Sequence, residues 1–297
     1  MPTEDEPGRI ILVGTPIGNL GDLSPRAVRT LSEADVIACE DTRVTRKLLT
    51  HAGITGKRLV TVHAHNEASA ADSLVTEAAA GAVIALVSDA GMPAISDPGA
   101  RIVAAAAAAG IAVEVVPGPS SVLAALVLSG LPTERFSFDG FLPRKGGERA
   151  ARLAAIAAEP RTVVLFESPH RVQATLGNLL SACGAARPVA VARELTKLHE
   201  EVWRGVLAEA VTWIESVEPR GEYVIVVGPA PVPDAATRAS AVDDEAIALA
   251  LARRLAAGDD RKAAVVAVTA ALGVPRRRVY DVAVALRKSG GEAGGAR

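Results

Sequence analysis

Between residues 10 and 129, short β-branched runs alternate with helix-like segments five times, and this rhythm restricts the fold more than any other feature. Ile10–Val13, Val36–Cys39, Arg58–Val62, Val83–Val87 and Ile111–Val116 read as strands. Helices follow them: Pro25 to about Ser32 behind a Ser24 cap, Thr42–His51, Glu67–Ala80, a segment to Ala109 capped by Asp97-Pro98, and Ser120–Ser129. Strict βα alternation predicts an α/β fold with a mostly parallel sheet and helices on both faces.

Phe136–Phe141 reads as one more strand of this first domain, residues 1–142. The turn Pro143-Arg-Lys-Gly-Gly147 then breaks the pattern. A second α/β domain is expected over 143–230, with helices at 148–158, 169–182 and 207–217. Its strands are expected at 162–166, 188–193, 201–205 and 223–227. Pro229-Ala-Pro-Val-Pro233 has the composition of a stiff linker. It opens a third region, 231–297, that reads as wholly helical from Asp243 to Lys288.

Bulk properties exclude several classes. The 297 residues carry a net charge of −2, which leaves no global footprint for nucleic acid. Residues 235–297, however, hold 11 Lys+Arg against 7 Asp+Glu, so basic charge is concentrated at the C-terminal end. Two cysteines, Cys39 and Cys183, argue against a disulfide framework and fit a reducing cytoplasm. Met1-Pro-Thr-Glu-Asp-Glu6 lacks the basic start and apolar run of a signal peptide. The alanine-rich stretch Ile102–Val116 is too short and too weak to span a membrane. His63-Ala-His65 has the wrong spacing for one helix face, and no metal is expected.

Three loops at the C-terminal ends of predicted strands carry glycine and proline: Gly14-Thr-Pro-Ile-Gly-Asn-Leu-Gly21, Ser88-Asp-Ala-Gly-Met-Pro-Ala-Ile-Ser-Asp-Pro-Gly99 and Pro117-Gly-Pro-Ser-Ser121. In an open α/β sheet such loops converge on one crevice. None is a GxGxxG or Walker pattern. The Ser88–Gly99 loop has two aspartates and no cation, so it suits a ligand with positive charge or hydroxyl groups better than a phosphate. Cys39-Glu-Asp-Thr-Arg-Val-Thr-Arg-Lys47 follows the second strand. Glu40 and Asp41 there suit a helix N-terminus, and Arg43 and Lys47 share one helix face. Glu167-Ser-Pro-His-Arg171 and Arg193-Glu-Leu-Thr-Lys-Leu-His-Glu-Glu201 add titratable groups in the second region, with His199 and Glu200 readable either as an acid/base pair or as a polar surface loop. Arg261–Leu272, Gly273-Val-Pro275 and the segment starting Arg276-Arg-Arg278 form a helix-turn-helix pattern, or a small helical appendage with solvated arginines.

These motifs, in this order, resemble the tetrapyrrole-methylase-like superfamily over residues 9–228, and within it the branch that methylates small-subunit ribosomal RNA. Met92 departs from the pattern, which has a small residue such as threonine there; a backbone contact at that position leaves the activity unaffected. The resemblance implies two α/β domains enclosing S-adenosylmethionine, a small C-terminal helical domain, and a homodimer. The reaction it implies is transfer of a methyl group to the ribose 2′-hydroxyl of a cytidine in the decoding region of small-subunit RNA, in the free RNA or in the assembled 30S subunit. Gly14, Pro16, Gly18, Asp89, Ala90, Gly91, Ile95, Ser96, Pro117, Gly118, Pro119, Ser120, Ser121 and Ser168 become candidates for holding the methyl donor. Glu40, Asp41, Glu167 and Glu194 are candidate bases for the weakly nucleophilic hydroxyl. Arg43, Lys47, Arg144, Lys145, Arg171, Arg193, Lys197, Arg276, Arg277 and Arg278 are candidates for RNA phosphates. Two other functions stay open: a methyltransferase acting on a tetrapyrrole or other small molecule, and a regulator that binds nucleic acid without catalysis.

Overall fold

A computed structural model of the chain describes residues 8–231 and 242–291. Residues 1–6 and the end of the proline-rich stretch 229–233 lie outside them. Two compact units divide between Ala230 and Pro231.

The first unit is built on two five-stranded sheets. Strands β1 (Arg9–Val13), β2 (Val36–Cys39), β3 (Arg58–Thr61), β4 (Val83–Leu86) and β5 (Ala112–Val116) form one sheet in the order β3-β2-β4-β1-β5, parallel throughout. Alternate residues of the central strands face opposite layers. Ile11, Val13 and Ile37 pack on Ala27 and Leu31 of α1 (Pro25–Glu33) and on Leu48 and Leu49 of α2 (Thr42–His51). Ile10, Val36, Ala38 and Ile84 pack on Leu74 of α3 (Glu67–Ala79) and Ile102 of α4 (Ala100–Ala108). Each such fully buried Leu or Ile contributes about 1.5–3 kcal/mol. Ser24 caps α1, with its hydroxyl accepting from the Ala27 N–H at 3.1 Å and Pro25 at the first helical position.

Strands β6 (Phe136–Phe141), β7 (Thr162–Glu167), β8 (Pro188–Arg193), β9 (Glu201–Val206) and β10 (Tyr223–Val227) form the second sheet, in the order β6-β7-β10-β8-β9. Only the β6–β7 pair is parallel. The sequence pattern assigns Phe136–Phe141 to the first domain, but the strand pairs with β7 in the second sheet. One face of this sheet is covered by α6 (Gly146–Ala158), α7 (Val172–Cys183) and α8 (Leu207–Glu215). The other is covered by α5 (Ser121–Ser129), whose Val122, Ala125 and Leu126 meet Val164, Ala190 and Val226. Helix α5 leaves the first sheet and packs on the second, so the loop before it sits where the two sheets meet.

A second expectation fails in detail. The helix after β4 is not capped by Asp97-Pro98. It begins at Ala100 with Gly99 as cap, at a φ of 136°, and the Glu67 carboxylate accepts from the N–H groups of Gly99 (2.8 Å) and Arg101 (3.0 Å). Asp97 is thereby left for another role.

The second unit contains helices α9 (Asp244–Ala256), α10 (Arg261–Leu272) and α11 (Arg276–Gly291) around Ile247, Leu251, Val265, Val268 and Val279. Gly273, at a φ of 63°, ends α10 in the left-handed conformation, and the tight turn to α11 keeps the helix-turn-helix spacing. Among the described residues no helix is long and apolar enough to cross a membrane.

Candidate active site

The three glycine-bearing loops leave the adjacent strands β4, β1 and β5, and they are laced together. Thr15 and Gly91 exchange backbone hydrogen bonds, 2.9 Å from the Thr15 N–H and 3.2 Å from the Gly91 N–H, and the Gly14 N–H donates to Val116 O at 2.9 Å. The buried Thr15 hydroxyl donates to Ser88 O at 3.2 Å. Gly14 and Gly118 cross backbone on backbone: a Cβ on Gly14 would lie 2.6 Å from Gly118 Cα. Only glycine at both positions allows that crossing.

Beside the crossing lies a cavity of about 320 Å³, the size of small-molecule sites. Its lining includes Asp89, Ala90, Ile95, Ser96, Ser120, Ser121, Glu167 and Ser168 from the sequence-derived set. Gly14, Gly91 and Gly118 build the crossing behind it instead, together with the connecting Pro16, Pro117 and Pro119. Gly18 stands apart, its Cβ position 2.5 Å from the Lys197 side chain, in a shallow cleft with Asn19, Thr196 and Leu198. Sequence reasoning missed Ile17, Asp97, Val122, Phe141, Phe166, Leu195, Glu222 and Tyr223, which also line it. Val122, Phe141, Phe166 and Tyr223 sit in regular strands and helices, which carry no local signal of a site, whereas Ile17, Asp97, Leu195 and Glu222 lie in loops. Met92, where the chain departs from the family pattern, is among the lining residues.

The electrostatics are one-sided. Among the described residues no lysine, arginine or histidine lines the cavity. Burial pushes the Asp97 carboxyl above the usual carboxylate range, and Asp89 and Glu222 add to the rise against a hydrogen bond with Ser88. Burial also raises Asp89, partly opposed by the Asp41 N–H that its carboxylate accepts at 3.0 Å. Glu40 is raised by burial and then by Asp97, Asp89 and Asp41. Acids that resist ionisation because they are buried, and because they lie near one another, gain most from a cationic ligand.

The four candidate bases separate clearly. Asp41 caps α2, accepting from the Arg43 N–H at 2.7 Å, and the Arg43 side chain holds it down to about 2. Glu194 is lowered by Lys197, whose Nζ lies 2.9 Å away. Glu167 is fully buried with both oxygens engaged, accepting from the Ser168 N–H (2.8 Å) and the Thr175 hydroxyl (2.7 Å) and pairing with Arg171 (3.4 Å). Glu40, in contrast to Asp41 and Glu194, has a raised carboxyl.

The basic candidates divide too. Arg43, Lys47, Arg144, Lys145, Arg276 and Arg277 are exposed, Arg43 while paired with Asp41 at 2.6 Å. Arg171, Arg193, Lys197 and Arg278 are tied into the protein. Arg171 donates to Leu142 O at 2.7 Å, and Arg193 bonds Glu201 at 2.7 Å. Lys197 bridges Glu194 and Glu222, and Arg278 pairs with Asp244 at 2.8 Å. These contacts hold the four side chains in place within the fold. His199 is exposed, and His63 and His65 are 6.0 Å apart. Among the described residues no group of three His, Cys, Asp or Glu could hold a metal ion.

The non-glycine residues with positive φ among the described residues are Ala94 (68°), Ser96 (62°), Glu194 (51°) and Thr196 (65°). All four lie in the 88–99 and 194–200 loops, which lie against the cavity or the adjoining shallow cleft, and such backbone conformations concentrate at functional sites.

Residues 9–211 match the family described as Tetrapyrrole (Corrin/Porphyrin) Methylases. The chain belongs to this family. Within it, the chain is similar to a ribosomal RNA small subunit methyltransferase I of Synechocystis sp., 43% identical over 283 residues, covering 95% of this chain and 100% of that one. It is similar to the protein of the same name from Mycobacterium tuberculosis, 44% identical over 286 residues, covering 96% and 97%. Among solved structures it resembles a uroporphyrin-III C-methyl transferase from Thermus thermophilus complexed with S-adenyl homocysteine, with a TM-score of 0.55, 25% identity, and coverage of 74% of this chain and 97% of that one. A tetrapyrrole methylase core of two sheets therefore accounts for the first unit.

Proposed function

We propose that this chain uses S-adenosylmethionine to methylate the ribose 2′-hydroxyl of a cytidine in the decoding region of small-subunit ribosomal RNA. The observation that carries the donor is the cavity itself, walled by Asp89, Asp97 and Glu222, with no lysine, arginine or histidine among the described residues that line it. The choice of ribosomal RNA over a tetrapyrrole rests on relatives that align over nearly the whole chain and bear that name.

The residues present suit such a donor. Asp89 and Asp97 hold positive charge, Ser96, Ser120 and Ser168 offer hydroxyls, and the free N–H groups at the start of α5 suit a carboxylate. Bound S-adenosylmethionine supplies an activated methyl group on a cationic sulfur, so the protein's task is mainly alignment. Glu40, raised and just past β2, takes the hydroxyl proton. Lys47 and Arg43 on α2, Arg144 and Lys145 after β6, and Arg276 and Arg277 on α11 carry exposed charge for RNA phosphates.

The working form is a homodimer in the cytoplasm acting on the assembled 30S subunit. An exposed apolar set, Val115 on edge strand β5 with Leu123, Val127 and Leu128 on α5, supports self-association. The test is methyl transfer from labelled donor to purified 30S subunits, with uroporphyrinogen III in parallel. Labelled RNA is expected; label confined to the tetrapyrrole would refute the proposal.

A further inference from the structure

Three of the chain's four phenylalanines meet beside the cavity. The Phe166 ring lies edge-on to Phe138, with centroids 4.8 Å apart, and 5.6 Å from Phe141. Phe138 and Phe166 are partly buried in the layer beneath α5. Phe141 lines the cavity and is 53% exposed. Among the described residues of the first unit, it is the one Phe, Tyr or Trp left exposed.

Its position comes from a break in the strand. The β6–β7 register shifts between Phe138 and Phe141, and Gly140 there has a φ of 61°. Residues of a regular strand alternate faces, so Phe141 would lie opposite Phe138, under α6 and α7. The shift reverses that parity: Phe141 joins Phe138 and Phe166 on the cavity side, and Leu142 is buried in the α6–α7 layer. Bulges of this kind re-aim side chains beside functional sites. A Cβ on Gly140 would lie 3.3 Å from Ser96 Oγ, which sets the break against the tip of the 88–99 loop.

The chain beyond Phe141 is clamped. Leu142 O accepts from Arg171 at 2.7 Å and Pro143 O from Arg149 at 2.9 Å. Arg171 is anchored on Glu167, and Arg149 on Thr175 and Asn178, each at 3.0 Å. Arg144 and Lys145 follow directly, both exposed. An exposed aromatic face on a rigid edge, with two cations a few residues on, is the arrangement that grips a single-stranded nucleotide by base and phosphate.

We propose that Phe141 is the stacking platform for a nucleobase of the acceptor RNA at the cavity mouth, with Arg144 and Lys145 on adjoining phosphates; this rests on the methyltransferase reading above. An aromatic face accepts any base, so Phe141 sets position and leaves sequence choice to other contacts. The test compares Phe141→Ala, Phe141→Leu and Phe141→Trp in methyl transfer to 30S subunits, with S-adenosylmethionine affinity measured by calorimetry. Phe141→Ala is expected to lower kcat/KM for RNA by about 5- to 150-fold, a larger change than any in donor affinity, because the ring lines the donor cavity only at its mouth. Phe141→Trp should recover most of the loss and Phe141→Leu little of it. Lost donor affinity with an unchanged KM for RNA would assign the ring to the donor's adenine and overturn the proposal. A fully active Phe141→Leu would overturn it as well, since mere apolar cover would suffice. Failure of the unsubstituted protein to methylate small-subunit RNA would instead refute the function on which the proposal rests.

Discussion

Replacing either crossing glycine by alanine should damage the protein far more than its exposure suggests. A Cβ on Gly14 would sit 2.6 Å from Gly118 N and Cα, and one on Gly118 would sit 2.8 Å from Gly14 C. Carbon atoms rest at about 3.5–4.0 Å, so the two backbones must part by roughly 1 Å. Neither glycine has a positive φ, so the cost is steric alone. Overpacking costs about 1–3 kcal/mol, and the obstacle here is main chain that cannot swing aside. Parting the loops also strains the Gly14–Val116 and Thr15–Gly91 hydrogen bonds, each worth about 1 kcal/mol. We expect a loss of about 3 kcal/mol for Gly118→Ala, lowering the melting temperature by about 6–12 °C for a unit of this size. The double variant should cost less than the sum, because one methyl group already parts the loops. Gly177→Ala is the control: Gly177 lies within α7 with nothing inside 4 Å of its Cβ position, so alanine should stabilise by about 0.5–1 kcal/mol. Both tryptophans, Trp203 and Trp213, belong to the first unit and stack 5.4 Å apart, so their fluorescence reports its unfolding in urea or heat. An unchanged midpoint for Gly14→Ala and Gly118→Ala would refute the crossing as the device that shapes the site.

Three further outcomes follow from the same geometry. Asp97, Asp89 and Glu40 are harder to ionise in the folded chain than in the unfolded one, so their charging opposes folding; these three groups should lend the ligand-free protein stability as pH falls toward the carboxylate range near 4, before Asp41 and Glu194, which are lowered, withdraw theirs at lower pH. S-Adenosylmethionine affinity should fall over the same window, because protonated acids no longer attract its cationic sulfur, while S-adenosylhomocysteine, which lacks the sulfonium charge, should respond more weakly; equal pH dependence in calorimetry would remove the acids as the basis of donor binding. Glu40→Gln should lower kcat by about 100-fold or more, whereas Asp41→Asn and Glu194→Gln should not, because Arg43 and Lys197 already hold those two ionised; full turnover of Glu40→Gln in single-turnover assays would end its role as base. Lys47→Ala and Arg276→Ala should each weaken RNA binding and reduce its log–log salt slope by about 1, and an unchanged slope would take that residue off the phosphate path.

The strands and helices were legible because each is marked locally, by β-branched runs, by Ser24-Pro25, and by glycines where chains approach. The 88–99 loop announced itself the same way, since small residues and carboxylates without cations are visible in the sequence. What escaped notice depends on partners distant in the chain. Asp97 looked like a cap because the residue that serves α4, Glu67, lies 32 positions before Gly99. Phe136–Phe141 looked like a sixth strand of the first sheet because pairing with β7 leaves no mark in its own pattern. Arg171, Arg193 and Lys197 read as free cations until Glu167, Glu201 and Glu194 were placed beside them. The apolar walls, Ile17, Val122, Phe166 and Tyr223, come from four different segments and look like ordinary core in each.

The central claim is tested most directly by mapping 2′-O-methyl ribose in small-subunit RNA from cells with and without this gene, and again after adding purified protein and S-adenosylmethionine to the deficient 30S subunits. The account predicts one cytidine in the decoding region that loses its ribose methyl group on deletion and regains it in vitro. An unchanged ribose-methylation map would contradict it.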